Sequence, residues 1–250
     1  MTTDNTLSKL NDMRMTAMAE RYMDQLKNPE YQDLSFEDRF AMLVDIEWGR
    51  RKSAKLDRLI KSAEFRESQA CIENVEYFAD RKLDKTQILR LSTGRYIQEK
   101  HNIIIKGASG NGKTYMGCAF GIAACRQSYK VRYIRLPDLL DELAVARGEG
   151  IYRKVIKKYT KVDLLILDEW LLTPLKETEA RDLLEIVESR YQVASTIFCS
   201  QFDPRGWHEK IGEGGTLADA ILDRIVHGSY QMLIDGKISM RERYGLEGSK

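Results

Sequence analysis

Residues Gly107-Ala108-Ser109-Gly110-Asn111-Gly112-Lys113-Thr114 carry three glycines, a lysine and a hydroxyl at the spacing that wraps a backbone around phosphates. Glycine lets successive N–H groups point into one concavity, and a helix starting at its end adds a positive pole. In such a loop the Lys113 ammonium reaches the β- and γ-phosphates of a nucleoside triphosphate, and the Thr114 hydroxyl is a ligand for Mg²⁺. A second acidic element follows at Asp168-Glu169, directly after the apolar run Leu164-Leu165-Ile166-Leu167. Asp168 suits the hydration shell of the Mg²⁺, and Glu169 can polarise a water for in-line attack on the γ-phosphorus. A P-loop kinase needs the first acid but no water activator, so the pair points to ATP hydrolysis. Ser200 or Gln201, ending the run Thr196-Ile197-Phe198-Cys199, can hydrogen-bond the attacking water or the γ-phosphate. Either is equally well a plain polar strand end.

These groups need a scaffold that brings them to one place. Short apolar runs recur at 102–105, 131–134, 164–167, 196–199 and 231–234, with helical patterns between them. Such alternation predicts a doubly wound α/β fold with a five-stranded parallel sheet, and strands of this kind present ligand sites at their C-terminal ends. Residues 1–100 hold only Pro29, Gly49 and Gly94 as breakers, against three prolines and fifteen glycines in 101–250. The composition predicts a helical N-terminal domain over 1–70, a connecting helical segment over 71–100 and the nucleotide core over 101–250. Ser35-Phe36-Glu37-Asp38 has capping-box spacing, and Phe36, Phe40, Leu43 and Val44 follow as one apolar stripe.

The 250 residues are 43% hydrophobic and 31% charged, with 40 Lys+Arg against 38 Asp+Glu, a net charge of +2. Bulk charge therefore selects no partner, but two local clusters are basic: Arg50–Lys61, and Arg147, Arg153, Lys154, Lys157, Lys158 and Lys161 against Glu149. Either suits phosphate-backbone contacts with duplex DNA, with little base specificity, or serves as a solvated helix face. Cys71, Cys118, Cys125 and Cys199 lack metal-site spacing and read as reduced thiols. No signal-peptide order and no membrane span is visible, which predicts a cytoplasmic protein.

Taken in order, these motifs resemble the DnaC/IstB group of AAA+ ATPases, and within it the IstB-like transposition helper ATPases. The match rests further on Leu34-Ser35-Phe36-Glu37-Asp38-Arg39, Glu47-Trp48-Gly49-Arg50-Arg51, Ala63-Glu64-Phe65, Glu188-Ser189-Arg190-Tyr191 and Leu222-Asp223-Arg224-Ile225. The resemblance implies an AAA+ core behind a helical assembly domain, an ATP-dependent homo-oligomer with sites between subunits, DNA binding and a partner transposase. By position it makes Lys113 and Thr114 the Walker A pair, Asp168 and Glu169 the Walker B pair, Ser200 the first sensor and Arg224 the arginine finger. Arg224 has a physical case too, since a guanidinium offers five donors to phosphoryl oxygens. A helix-surface arginine paired with Asp223 is the plainer alternative, and one sequence leaves open whose site Arg224 serves. Helicase loaders of the group end in a Ser-Tyr-Arg segment where this chain reads Ile238-Ser239-Met240-Arg241-Glu242-Arg243, so no second sensor arginine is assigned. A DnaC-like helicase loader is the alternative function.

Overall fold

Ile103, Ile104 and Ile105 are all fully buried although successive side chains point to opposite faces, so strand β1 (Asn102–Lys106) must be covered on both sides. The computed structural model, which describes residues 2–212, 215–236 and 238–244, provides that cover. With β2 (Val131–Arg135), β3 (Leu164–Asp168), β4 (Ser195–Ser200) and β5 (Ser229–Leu233), β1 forms a parallel sheet in the order β2-β3-β4-β1-β5. Every pairing is parallel, with Ile103 opposite Ile197 on one side and Tyr230 on the other. The expected doubly wound α/β architecture with a five-stranded parallel sheet is therefore present.

Helix α1 (Thr2–Asp12), α2 (Thr16–Lys27), α3 (Phe36–Ala63), α4 (Lys85–Ser92) and α5 (Arg95–Gln98) precede the sheet. Helices α6 (Lys113–Arg126), α7 (Leu136–Gly148), α8 (Tyr152–Thr160), α9 (Glu177–Arg190), α10 (Thr216–Val226) and α11 (Met240–Arg243) follow the strands. One sheet face takes α6, and the approach is close because two of its residues lack a Cβ. A Cβ on Gly117 would stand 3.0 Å from the Cys199 sulfur, and one on Gly121 would stand 2.4 Å from the Phe65 ring. On the other face Leu165, Leu167 and Phe198 join Leu139, Leu143, Ile156, Leu183 and Ile221 of α7, α8, α9 and α10 in one core.

The chain divides into two units, Met1–Arg58 and Leu59–Lys250. The segment over 71–100 packs into the second: Ile88, Tyr96 and Ile97 are nearly inaccessible, and the Ser195 hydroxyl donates to the Tyr96 carbonyl at 3.1 Å.

In the first unit, Leu10, Ala19 and Leu43 are buried, whereas Phe36, Phe40 and Val44 of the apolar stripe are exposed. A buried carboxylate ties its helices together. Glu47 Oε2 accepts from the backbone N–H groups of Ala17 (3.2 Å) and Met18 (3.4 Å), satisfying the free donors at the start of α2. Arg50 and Arg51 donate to Glu47 Oε1 at 2.5 and 2.7 Å, and both also donate to the Arg14 carbonyl. These hydrogen bonds, those from Arg50 first, hold the Glu47 carboxyl down to about 2 from its usual 4.5. Because the folded value is depressed, the stabilisation is full above about pH 4.5 and is lost as pH falls toward 2. Glu47→Gln is expected to lower the stability of this unit by about 1–3 kcal/mol at neutral pH and to flatten its acid sensitivity. Unfolding followed by circular dichroism across pH 2.5 to 7 (roughly the window between native and unfolded titration) checks both.

Candidate functional site

The loop between β1 and α6 leaves the sheet at Gly107, where a Cβ would lie 2.1 Å from the Ile234 carbonyl oxygen, so only glycine lets the chain pass there. It enters α6 at Gly112, which has φ +86°. The loop is braced from outside: Asn111 Nδ2 donates to the Ile234 carbonyl, and the Arg81 guanidinium donates to the Asn111 carbonyl at 3.0 Å. The Met240 N–H, at the start of α11, donates to the Gly110 carbonyl at 2.9 Å. Inside, the Lys113 ammonium donates to the carbonyls of Gly107 and Ala108, both at 2.8 Å. Burial lowers the Lys113 pKa, and the nearby Asp168 charge works against that fall.

Asp168 ends β3 almost inaccessible, and three donors hold its carboxylate. Thr114 Oγ1 donates to Oδ2 at 2.7 Å, Tyr133 Oη to the same oxygen at 2.8 Å, and the Glu169 N–H to Oδ1 at 2.9 Å. Burial, then the Asp168 charge, pushes the Tyr133 phenol well above its ordinary range, so it stays a donor. Glu169 turns the chain with φ +53°, a left-handed conformation that costs a non-glycine residue on the order of 1–2 kcal/mol. That turn sends adjacent carboxylates in different directions. The Glu169 carboxylate lies between Arg135 Nη2, 2.6 Å from Oε2, and Arg66 Nη1, 3.8 Å from Oε1.

Ser109, Gly110, Gly112, Lys113, Thr114, Asp168 and Glu169 line one cleft of about 620 Å³ at the C-terminal ends of the strands. The 107–114 loop and the Asp168-Glu169 pair therefore meet in one cleft. Ser200 does not join them. It is fully buried, donates to the Trp170 carbonyl at 3.0 Å and accepts from the Phe202 N–H and the Trp207 indole. The polar group that faces the cleft at the end of β4 is Gln201, beside Cys199. Ser200, expected from the resemblance as the first sensor, therefore lies outside the cleft lining, with its hydroxyl committed to the core.

Arg224 is also apart from the cleft. Its Nη2 lies 2.9 Å from Glu188 Oε1, its Nη1 donates to the Ala220 carbonyl, and its guanidinium sits 6.0 Å from the Tyr191 ring centre. It lines a second cleft of about 490 Å³ with Asn102, Thr196 and Gly228, at the opposite ends of the strands. One strand length, about 15 Å, separates that end from the phosphate loop. Asp223, the plainer partner expected for Arg224, pairs instead with His227.

Four groups in or beside the cleft had no motif to announce them. Tyr133 and Arg135 are alternate residues of β2, so they share a face, and register places Arg135 opposite Asp168. Strand periodicity together with strand order is the signal that finds them. Arg81 and Arg241 also line the cleft, whereas Arg243 is committed to Asp80 at 2.5 Å.

The basic clusters are partly neutralised. In the first, Arg50 and Arg51 are spent on Glu47. In the second, Arg147 pairs with Asp182, Arg153 with Glu185 at 3.2 Å and Lys158 with Glu142 at 2.6 Å. Lys154, Lys157 and Lys161 are exposed and make no ion pair among the described residues. No helix among those residues is long and apolar enough to cross a membrane.

A family model described as IstB-like ATP binding protein matches residues 8–247. Among curated proteins, the chain is 41% identical to y4pL of Sinorhizobium fredii (strain NBRC 101917 / NGR234), named as an insertion sequence ATP-binding protein, over 95% of this chain and 96% of that one. It is 39% identical to the ATP-binding protein of insertion sequence IS1162 from Pseudomonas fluorescens, over 80% of this chain and 87% of the relative. Among solved structures, the DnaC helicase loader superposes with a TM-score of 0.57 at 17% identity, covering 67% of this chain and 97% of its own, a likeness of fold.

Proposed function

This chain belongs to the IstB-like ATP-binding protein family, and from that premise we propose that it hydrolyses ATP with Mg²⁺, binds duplex DNA with little sequence preference, and assists a partner transposase in choosing its target. It does so in the cytoplasm as an ATP-dependent homo-oligomer on DNA. The observation that carries the hydrolytic part is the division of labour in one cleft: Thr114 and Asp168 share a point 2.7 Å apart, while Glu169, one residue on, is turned elsewhere by its left-handed backbone.

The loop amides and Lys113 bind the phosphates, the ammonium exchanging two carbonyl partners for phosphate oxygens. Thr114 and Asp168 offer the hard oxygens that suit Mg²⁺, Asp168 through water, and would hold it beside the phosphates. Bound there, the ion neutralises charge on the phosphate oxygens. Glu169 accepts a proton from the attacking water as its oxygen bonds to the γ-phosphorus; the bond to the β–γ bridging oxygen breaks, leaving ADP and inorganic phosphate. Gln201, at the cleft wall, is placed to hydrogen-bond the water or the γ-phosphate.

The insertion-sequence relatives support a transposase as the partner over the helicase of the alternative loader function. For DNA, the support is the trio Lys154, Lys157 and Lys161, exposed and without an ion pair among the described residues. Each duplex phosphate neutralised contributes about −0.9 to the slope of log affinity against log salt, so changing all three to Glu is expected to flatten the slope by about 2.7. Fluorescence anisotropy of a labelled duplex, with ATP and across a salt series, measures it. An unchanged slope in a variant that still binds ATP would remove α8 from the DNA path.

A further inference from the structure

In-line hydrolysis fixes where its products lie. The attacking and leaving oxygens stand on opposite sides of the γ-phosphorus, so ADP fills the phosphate-loop side and the new inorganic phosphate is left against Glu169. While ADP stays bound, what lies beyond Glu169 decides where the phosphate goes.

Beyond it is a second hollow, of about 510 Å³, walled by Arg66, Arg132 and Arg135 together with Glu64, Asp138 and Glu142. Arg66 lines both this hollow and the nucleotide cleft, so the two share a wall. Glu169 stands in that wall, with Oε1 3.8 Å from Arg66 Nη1 and Oε2 2.6 Å from Arg135 Nη2. We propose that the hollow is an anion site that receives inorganic phosphate after it leaves Glu169 and before it reaches solvent, with Arg66, Arg132 and Arg135 as its donors. The proposal rests on hydrolysis at Glu169.

The guanidiniums suit a site that takes an anion in and lets it go. Arg132 is the fixed one: its side chain is only 15% exposed, stands over the Tyr159 ring at 5.9 Å, donates to the Ser62 carbonyl at 3.3 Å and pairs with Glu64. Arg66 is the movable one, 49% exposed and near Glu169 without hydrogen-bonding it, so it can turn from one side of the wall to the other. The Nε groups of Arg132 and Arg135 are buried with no hydrogen-bond partner among the described residues. Buried donors without an acceptor are rare in folded proteins, and a phosphate offers several oxygens to a guanidinium fork. The acids around the hollow do not cancel it. Glu142 is engaged by Lys158 and by the Tyr159 hydroxyl, while the Glu64 and Asp138 side chains are more than half exposed, where water screens their charge and leaves them free to turn outward.

Equilibrium dialysis of radiolabelled inorganic phosphate against the full chain, saturated with a non-hydrolysable ATP analogue and Mg²⁺, tests the site apart from the chemistry, because the analogue fills the γ-phosphate position. Saturable binding is expected, weakened about tenfold in Arg132→Gln and in Arg66→Gln, the scale of one charge-assisted hydrogen bond. Arg132→Lys, which keeps the charge and loses the fork, should fall between. Arg66→Gln, at an exposed position, serves if the Arg132 variants fold poorly. No saturable binding, or wild-type affinity in both Gln variants, overturns the site. Displacement of the phosphate by a random-sequence duplex would give the hollow to DNA and overturn it as well. For the exit role, one turnover of ATP is followed by acid quench for cleavage and by a fluorescent phosphate sensor for release. The ratio of release rate to cleavage rate should fall about tenfold in either Gln variant, by the same lost hydrogen bond. An unchanged ratio would mean that phosphate leaves by another way and overturns the route. Wild-type turnover in Glu169→Gln would instead overturn the hydrolytic assignment, and the dialysis result would stand without it.

Discussion

Replacing Glu169 by Gln is expected to leave ATP bound and to slow its hydrolysis by about 10²–10⁴-fold, the range for loss of a positioned general base. The amide matches the carboxylate in size and keeps a hydrogen bond to the water, but it cannot take the proton. The phosphate-binding groups are separate from it: Lys113 and the loop amides lie on the α6 side, and Asp168 is held by Thr114 and Tyr133 whether or not its neighbour is charged. Affinity for a fluorescent ATP analogue should therefore change little while kcat collapses. Lys113→Ala reverses the pattern, because it removes the charge that meets the phosphates. Single-turnover hydrolysis beside equilibrium ATP binding separates the two variants. Wild-type turnover in Glu169→Gln would mean that another group activates the water.

The second large effect belongs to Arg224. An arginine that meets the γ-phosphoryl group contributes about 10³–10⁵-fold to turnover, yet Arg224 lines a different cleft, at the far ends of the strands from Lys113. It can act on ATP only in a neighbouring copy. Arg224→Ala is expected to lower turnover of the assembled protein by about 10³-fold while leaving ATP binding by the monomer intact. Mixed with Asp168→Asn, inactive for the opposite reason, it should recover a fraction of wild-type activity, because some interfaces pair an intact loop with an intact arginine. No recovery at any ratio, with mixing shown by cross-linking, would make Arg224 the plain partner of Glu188 that the isolated chain displays.

The phosphate loop and the acidic pair could be read from the chain because each is contiguous: the chemistry and the turn that presents it lie within eight residues or two. What could not be read depends on which strands are neighbours. Tyr133 reaches Asp168 and Arg135 reaches Glu169 only because β2 pairs with β3 in register, a contact across more than thirty positions. Ser200 and Gln201 differ by one residue, which in a strand means opposite faces. Cys199 lies against Gly117 of α6, so Gln201, two positions on, shares that face, while Ser200 points to Trp170 and Trp207. Alternation carried this information, but using it required knowing which face α6 covers. The basic clusters misled for the opposite reason: a count of charges omits the acids that the fold brings to them, such as Glu47 from the same helix and Asp182 and Glu185 from α9.

The position of β1 between β4 and β5 bears on how the protein emerges from the ribosome. Of the five strands it is made first, yet both of its partners are made last, so Ile103 finds Ile197 only after some ninety further residues and Tyr230 later still. At about 5–20 residues per second, that interval is on the order of 5–20 seconds. Throughout it, β1 has no neighbour on either edge, and Gly107 has no Ile234 to press against. A nascent chain released before Ile234 would carry the whole phosphate loop and still lack the walls that shape it. Competence for nucleotide is thereby tied to synthesis having passed Ile234, and the exposed isoleucine strand is the segment a ribosome-associated chaperone would have the longest opportunity to cover.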